Sequence, residues 1–243
     1  MRFAPPPVRV LATGFGPFPG IPRNASALLV QSLAQCPALP GIQLSTEIFP
    51  VAWTEARAVS EEAISKHKPH AILHFGVAKR ATGFEIETRA FNISNVKEDH
   101  GGVVRPPVAL IPSGMHILRA TLPPFALLGA LKRSGYPALL SRDAGRYLCN
   151  ATLYWSLARA NTAGPLVTFV HLPALGTPTE VKPRLTMDET IAGARVLIRT
   201  SAEAVLRAMR EKSGQPKGSN GHGSQALYGN RRGGNRLVWN SAC

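Results

Sequence analysis

The 243-residue sequence has only three cysteines, Cys36, Cys149 and Cys243. They are widely spaced and odd in number, so they include no pair with metal-ligand spacing and argue against a disulfide framework. The chain also lacks an apolar run long enough to span a bilayer, and its first residues lack the apolar core of a signal peptide. These absences favour a reducing compartment. We therefore expect a cytoplasmic protein with no membrane partner.

Acidic residues are half as numerous as basic ones, 14 against 28, which gives a formal net charge of +14. Five basic residues and one acid lie from Glu211 onward, and the other basic residues are scattered without a dense run. This pattern argues against specific nucleic-acid recognition. Residues 213–243 are rich in Gly, Ser and Asn and have no hydrophobic period. We predict one folded domain over residues 1–212 and a disordered basic C-terminal tail over residues 213–243.

Strand-like apolar runs alternate with helical patterns along the first 212 residues. The predicted strands cover residues 8–15, 44–51, 70–77, 84–93, 136–140 and 165–173. The predicted helices cover residues 24–36, 54–67, 124–133, 147–157 and 187–209. The alternation predicts an α/β fold, a single-domain three-layer sandwich with a mainly parallel, twisted sheet flanked by helices.

Cys149 and His171 are the candidate reactive pair. Cys149 lies at the start of a predicted helix, where free backbone N–H groups and the helix dipole favour a thiolate. His171 comes at the end of the next predicted strand, so the two side chains can meet at one edge of the sheet. Either residue alone is more often a structural group than a catalytic one. Their shared position at strand ends makes a nucleophile and base a credible alternative.

A third group is needed to orient the imidazole of such a pair, and three acids are candidates. Glu85 and Glu87 alternate with apolar residues in one predicted strand, and Asp143 precedes the Cys149 helix, where it could simply be a cap. Periodicity does not choose among the three.

Two further patterns carry weaker signals. The turn from Gly14 to Phe18 follows a strand but lacks the Lys-Ser/Thr pair of a phosphate-binding loop. Its two phenylalanines could wall a small flat ligand or pack in the core. His67, His70 and His74 span a helix end and a strand without sharing a face, so they do not predict a metal site. We expect no metal ion and no organic cofactor.

Four segments together resemble the type I pyroglutamyl peptidases, a family of cysteine exopeptidases. They are Thr13 to Phe18, Glu87 to Asn92, Ala144 to Asn150 and Phe169 to Pro173. They occur in the family's order, and the resemblance covers residues 8–210. The resemblance implies that the folded part of the chain, residues 1–212, is a peptidase domain, and that its substrates are peptides with an N-terminal pyroglutamate.

The resemblance also implies the catalytic roles. It makes Cys149 the nucleophile, His171 the acid and base, and Glu87 the acid that orients the imidazole. No cofactor is implied, and a homo-oligomer, a dimer or a tetramer, is possible.

For substrate binding, the resemblance places the lactam ring between Phe15 and Phe18. Tyr147 would be a further aromatic lining residue, and backbone groups near Val77 and Leu148 would hydrogen-bond the lactam. A neutral planar lactam needs apolar faces and a few fixed polar partners, which agrees with this set.

The sequence departs from the family pattern at two places near the site. Val77 stands where many members have glutamine, and the run from Asn95 to Gly102 replaces a segment that carries an arginine in many members. Lys97 is the cation of that run, and the sequence assigns it no role. These departures keep two alternatives open: a non-catalytic relative that binds lactams or peptides, and a cysteine hydrolase for another small amide.

Overall fold

The structure, a computed structural model, describes residues 5–18, 20–95, 97–160, 164–174 and 185–214. In these ranges the strands are β1 (Val8–Phe15), β2 (Ile42–Phe49), β3 (Ala71–Ala78), β4 (Phe84–Glu87), β5 (Arg89–Phe91), β6 (Ile117–Arg119), β7 (Ala138–Ser141) and β8 (Leu166–Pro173). The helices are α1 (Ala25–Gln35), α2 (Ala56–His67), α3 (Pro124–Arg133), α4 (Leu148–Arg159) and α5 (Met187–Lys212). The predicted tail lies outside the described residues from 215 onward, so its disorder stays a prediction.

The central sheet has six strands in the order β2-β1-β3-β8-β4-β7. Strands β1, β2, β3 and β8 are parallel to one another, whereas β4 runs antiparallel to β8 and parallel to the edge strand β7. Helices cover both faces, so the predicted α/β sandwich with a mainly parallel sheet is confirmed. The pairing of β4 with β8 brings the start of one strand beside the end of the other, where the site lies.

Alternating residues divide the core between the two faces of the sheet. One cluster joins α1, α3 and α5 to residues such as Val10 and Leu172, and the other joins α2 and α4 to residues such as Leu11 and Phe169. Neighbours two apart in a strand share a face, so His171 lies on the same face as Phe169, toward α4.

The first turn is fixed by side-chain hydrogen bonds at the start of α1. Asn24 is the N-cap and accepts from the Ser26 amide at 3.1 Å, while the Ser26 hydroxyl accepts from the Phe15 amide at 3.0 Å. A Cβ at Gly14 would lie 2.3 Å from the Ser26 carbonyl oxygen, so only glycine allows this approach. A capping box of Thr186 and Glu189 likewise fixes the start of α5.

The predicted single strand over residues 84–93 is wrong. The chain divides there into β4, in the central sheet, and β5, which pairs with β6 in a separate two-stranded sheet. Thr88 marks the change, since its amide and hydroxyl both bond the Ser141 carbonyl while its own carbonyl accepts from Ala120. The sequence has no glycine or proline to signal this break, and it did not predict β6.

Cys149 has a free thiol. The argument from the cysteine count against a disulfide framework stays a prediction. None of the described helices combines the length and apolar character needed to cross a bilayer.

Candidate active site

The start of α4 carries Cys149 as its second residue. The N-cap, Tyr147, provides no side-chain hydrogen bond to the helix, and the helical ladder begins with the Ala151 amide bonded to the Tyr147 carbonyl at 3.0 Å. The amides of the first turn therefore have no acceptor within the helix, and they make this end of α4 electropositive.

Asn150 anchors this helix start to β5. Its side-chain oxygen accepts from the Phe91 amide at 2.8 Å, and its side-chain nitrogen donates to the Phe91 and Ile93 carbonyls at 2.9 and 3.1 Å. No role was assigned to Asn150 from the sequence. Its position next to Cys149 is the signal that could have identified it. Its side chain ties the residue next to Cys149 to β5.

His171 and Glu87 meet because β4 and β8 are antiparallel neighbours. His171 Nδ1 lies 2.8 Å from Glu87 Oε1, and their side chains are only 8% and 1% exposed. The Thr168 hydroxyl donates to the Glu87 carbonyl at 2.9 Å and holds the end of β4 in place. A buried carboxylate in contact with Nδ1 directs the other ring nitrogen, Nε2, away from the sheet.

His171 is protonated at neutral pH. Burial alone would lower the pKa of His171, but hydrogen bonds with Cys149 and Glu87 and the negative charge of both raise it to about 10. Glu87 Oε2 is buried without a hydrogen-bond partner among the described residues. An uncompensated carboxylate there would be costly, so the adjacent imidazolium stabilises it. The three side chains form a hydrogen-bonded chain from the carboxylate to the sulfur.

A pocket of about 170 Å³ opens above Cys149 and His171. It is lined by Phe15, Phe18, Asn24, Val51, Gly76, Val77, Lys97, Ala144, Tyr147, Leu148, Cys149 and His171. Every site residue predicted from the sequence is therefore in the lining, apart from Glu87, which lies behind His171. Asn24, Val51, Lys97 and Ala144 are lining residues to which the sequence gave no such role.

Gly76 makes room for the sulfur. It pairs with His171 across β3 and β8, and a Cβ at this position would lie 2.6 Å from the Phe169 ring and 3.2 Å from Cys149 Sγ. Any larger residue would push the ring or the thiol away. Steric exclusion therefore explains why glycine occupies this position near the end of β3.

The two phenylalanines of the first turn have different surroundings. Phe15 is 3% exposed and packs edge-on against Phe49 and obliquely against Phe169, so it belongs to the core as well as to the pocket. Phe18 is half-buried at the rim. The sequence left a ligand wall and core packing open for both, and the structure places Phe15 in both settings.

The other two acids considered from the sequence have different surroundings. Asp143 accepts from the Gly145 amide at 3.0 Å and pairs with Arg146, so it stabilises the turn before α4. Glu85 lies opposite His171, and burial raises the pKa of its carboxyl. Polar atoms of Glu85, Glu87 and His171 lie within 4.8 Å of one another, a spacing that a metal ion could bridge. The Glu87–His171 hydrogen bond already occupies two of those atoms.

The three clustered histidines take separate partners. His67 Nε2 lies 2.7 Å from Glu47, and His70 Nδ1 accepts from the Arg9 amide at 3.1 Å. His74 is fully buried between the hydroxyls of two other residues, and burial lowers its pKa to about 3.

Comparison with known proteins agrees along most of the chain. The family model for pyroglutamyl peptidase matches residues 8–204. The pyrrolidone-carboxylate peptidase of Bacillus licheniformis is 30% identical over 212 residues, covering 84% of this chain and 94% of that protein. The protein of that name from Vibrio vulnificus is 29% identical over 198 residues, covering 80% and 93%. The pyrrolidone carboxyl peptidase structure from Fervidobacterium islandicum superposes with a TM-score of 0.76 at 31% identity, covering 81% and 99%.

Proposed function

The chain belongs to the pyroglutamyl peptidase family, and we propose that it is a cysteine exopeptidase that removes N-terminal pyroglutamate from peptides. The single observation that carries this proposal is the hydrogen-bonded chain of Glu87, His171 and Cys149 at the base of a small, largely apolar pocket. Such a chain supplies an activated sulfur nucleophile and a proton donor at one point.

In the first step, the Cys149 thiolate attacks the carbonyl carbon of the pyroglutamyl residue. The C–S bond forms as the carbonyl π electrons move to oxygen, and the amides at the start of α4 are the candidate donors to that oxyanion. His171 then gives its proton to the leaving nitrogen as the C–N bond breaks. The product amine leaves, and the pyroglutamyl group remains as a thioacyl-enzyme.

Water completes the cycle. His171, now neutral, takes a proton from the water that attacks the thioester, and the C–S bond breaks to return the thiolate beside the imidazolium. Glu87 accepts a hydrogen bond from the Nδ1–H group of His171 throughout, which keeps Nε2 directed at the sulfur. The Glu87–His171 contact of 2.8 Å supports this role.

The lining of the pocket suits a lactam ring. Phe15, Phe18 and Tyr147 offer apolar faces, and the backbone at Val77 and Leu148 offers polar groups beside them. We assign these five residues to substrate binding. Val77 cannot donate or accept through its side chain, so the backbone carries the polar contacts there.

The test is cleavage of a pyroglutamyl amide reporter by the purified protein, against the matching glutamyl and prolyl reporters. We expect turnover of the pyroglutamyl reporter, and loss of turnover in Cys149→Ser, with the folded state checked by circular dichroism. Binding without turnover would favour a lactam- or peptide-binding relative. Turnover of an unrelated small amide with none of the pyroglutamyl reporter would favour a different cysteine hydrolase.

A cytoplasmic location, the absence of a specific nucleic-acid partner and a homo-oligomeric state stay predictions. Gel filtration with light scattering would measure the oligomeric state directly.

A further inference from the structure

The mouth of the pocket carries a cation, Lys97, beside two aromatic rings. The Lys97 Nζ atom lies 4.6 Å from the centre of the Tyr147 ring and 5.4 Å from that of Phe18. No acidic residue is among the pocket's lining, and within the described ranges Lys97 forms no ion pair. Aromatic faces position an ammonium group but leave its charge available to an anion.

The loop that carries Lys97 is firmly held. The Asp99 carboxylate is 1% exposed and accepts from the amides of Trp53 at 2.7 Å, Gly101 at 2.9 Å and Val103 at 2.9 Å. The Tyr147 hydroxyl donates to the Glu98 carbonyl at 3.0 Å, which ties the same loop to the start of α4. The backbone that carries the Lys97 side chain is therefore held in a fixed position beside the site.

Position within the pocket determines what Lys97 can meet. Phe15, Leu148 and His171 at the closed end are buried, whereas Lys97 at the mouth is exposed. A lactam held at the closed end leaves the next residue of the peptide at the mouth. One residue spans about 3.8 Å, so a carboxylate on that residue comes within reach of a lysine side chain.

We propose that Lys97 is a specificity-determining residue that favours substrates with a carboxylate on the residue after pyroglutamate. This inference rests on the proposed function, because it takes the lactam to occupy the closed end. The carboxylate can be the free C-terminus of a dipeptide or the side chain of an acidic residue in a longer peptide.

The experiment compares kcat/KM for substrate pairs that differ in one charge. Pyroglutamyl-alanine is set against pyroglutamyl-alanine amide, and pyroglutamyl-glutamate amide against pyroglutamyl-glutamine amide, which separates the two sources of carboxylate. We expect the charged member of at least one pair to be favoured about two- to fivefold, in the range of a partly exposed ion pair. The preference should shrink as salt is raised from 0.05 to 0.5 M.

Variants assign the preference to one side chain. Lys97→Met should bring the ratio close to one, and Lys97→Arg should keep it. Lys132→Met, on the exposed side of α3, removes the same charge far from the pocket and should leave the ratio as in the natural protein. A ratio of one or less in the natural protein, or a ratio unchanged in Lys97→Met, would overturn the proposal. Faster cleavage of both members by Lys97→Met would also overturn it, since Lys97 would then block the lactam position.

Affinity provides a readout independent of turnover. Calorimetry with Cys149→Ala and the same uncleaved peptides should give the same charge preference, again lost on adding Lys97→Met. Cleavage of the neutral amides without any charge preference would refute the role of Lys97 and leave the peptidase intact. Binding with the preference but no cleavage by the natural protein would refute the peptidase and keep the role of Lys97.

Discussion

Two buried histidines on neighbouring parallel strands of this sheet have opposite protonation states. His74 is on β3 and His171 is on β8, and both face the layer formed by α2 and α4. His74 is 0% exposed and His171 is 6% exposed, so burial hardly distinguishes them. Their hydrogen-bond partners do, and this difference separates a structural histidine from a catalytic candidate.

His74 contacts only neutral groups. Its Nδ1 lies 2.7 Å from the Thr13 hydroxyl and its Nε2 lies 3.0 Å from the Ser156 hydroxyl. Nothing there compensates a positive charge, so desolvation dominates and its pKa falls to about 3. For His171, two acidic partners outweigh the same desolvation. Partner chemistry, rather than depth in the core, decides which histidine is charged.

Phe169 separates the two rings. Its ring centre is 4.8 Å from that of His171 and 6.2 Å from that of His74. His171 therefore borders the pocket, while His74 lies on the far side of an apolar ring. A substrate in the pocket meets only the charged histidine.

The largest expected effect comes from making the same substitution at both histidines. His171→Asn should lower kcat/KM on a pyroglutamyl reporter by about 10²–10⁴-fold, since proton transfer is lost. His74→Asn should lower the free energy of unfolding by about 1–3 kcal/mol and leave kcat/KM per folded molecule unchanged. Reporter kinetics and urea unfolding of both variants measure this. Equal kinetic losses in the two would contradict the division of roles.

Removing the charge beside His171 should have a smaller effect. Glu87→Gln keeps the shape but removes the carboxylate that stabilises the imidazolium. We expect kcat to fall about 10- to 10³-fold, less than for Cys149→Ser, because an orienting group supports the reaction without forming bonds.

The same substitution should slow alkylation of Cys149 by iodoacetamide near neutral pH, because the thiolate loses its charged partner. Alkylation is followed by peptide mapping of Cys149 itself. Glu85→Gln is the control, since it removes a nearby carboxylate that does not bond His171. The interpretation fails if Glu87→Gln alkylates at the natural rate while Glu85→Gln slows.

The two histidines should also affect stability at opposite ends of the pH range. The pKa of His74 is lowered on folding, so its contribution is present above pH 6.5 and is lost as pH falls toward 3. The pKa of His171 is raised, so its contribution is present below pH 6.5 and is lost as pH rises through about 10. Within each of these pH ranges, the one proton bound or released on unfolding changes the free energy of unfolding by about 1.4 kcal/mol per pH unit.

Urea unfolding between pH 4 and pH 10 measures both limbs of the stability profile, the fall in stability toward low pH (the acid limb) and the fall toward high pH (the alkaline limb). His74→Asn should flatten the acid limb, and His171→Asn should flatten the alkaline limb, each leaving the other limb unchanged. If either substitution flattened the limb assigned to the other, the protonation states given above would be reversed.

The smallest expected effect is at Thr13. Thr13→Val keeps the volume but removes the hydroxyl on His74 Nδ1, which should cost about 1–2 kcal/mol of stability with kcat/KM unchanged. Thr13→Ser keeps the hydroxyl and serves as the control. A loss of stability in Thr13→Ser equal to that in Thr13→Val would assign the effect to packing.

Much of the fold could be predicted from local patterns. Residues 124–133 were predicted as a helix and form α3 with the same bounds, because Pro124 suits the first turn and the apolar residues recur with helical spacing. The direction of β4 could not be predicted, because an alternating run reads the same for a parallel and an antiparallel strand. The break at Thr88 depends on its bonds to Ser141 and Ala120, which are distant in sequence.

The sequence by itself determined that Cys149 would open a helix and that His171 would come near the end of a buried strand, since both follow from local periodicity and capping. Periodicity left three acids open, and the family resemblance selected Glu87 among them. Only the tertiary structure decided how that acid meets His171, which histidine is charged and which cation reaches the pocket. Those outcomes depend on the antiparallel pairing of β4 with β8 and on the anchoring of the Lys97 loop by Asp99. Electrostatic effects act through space between residues far apart in the chain, so they become defined only once the strands and loops have packed.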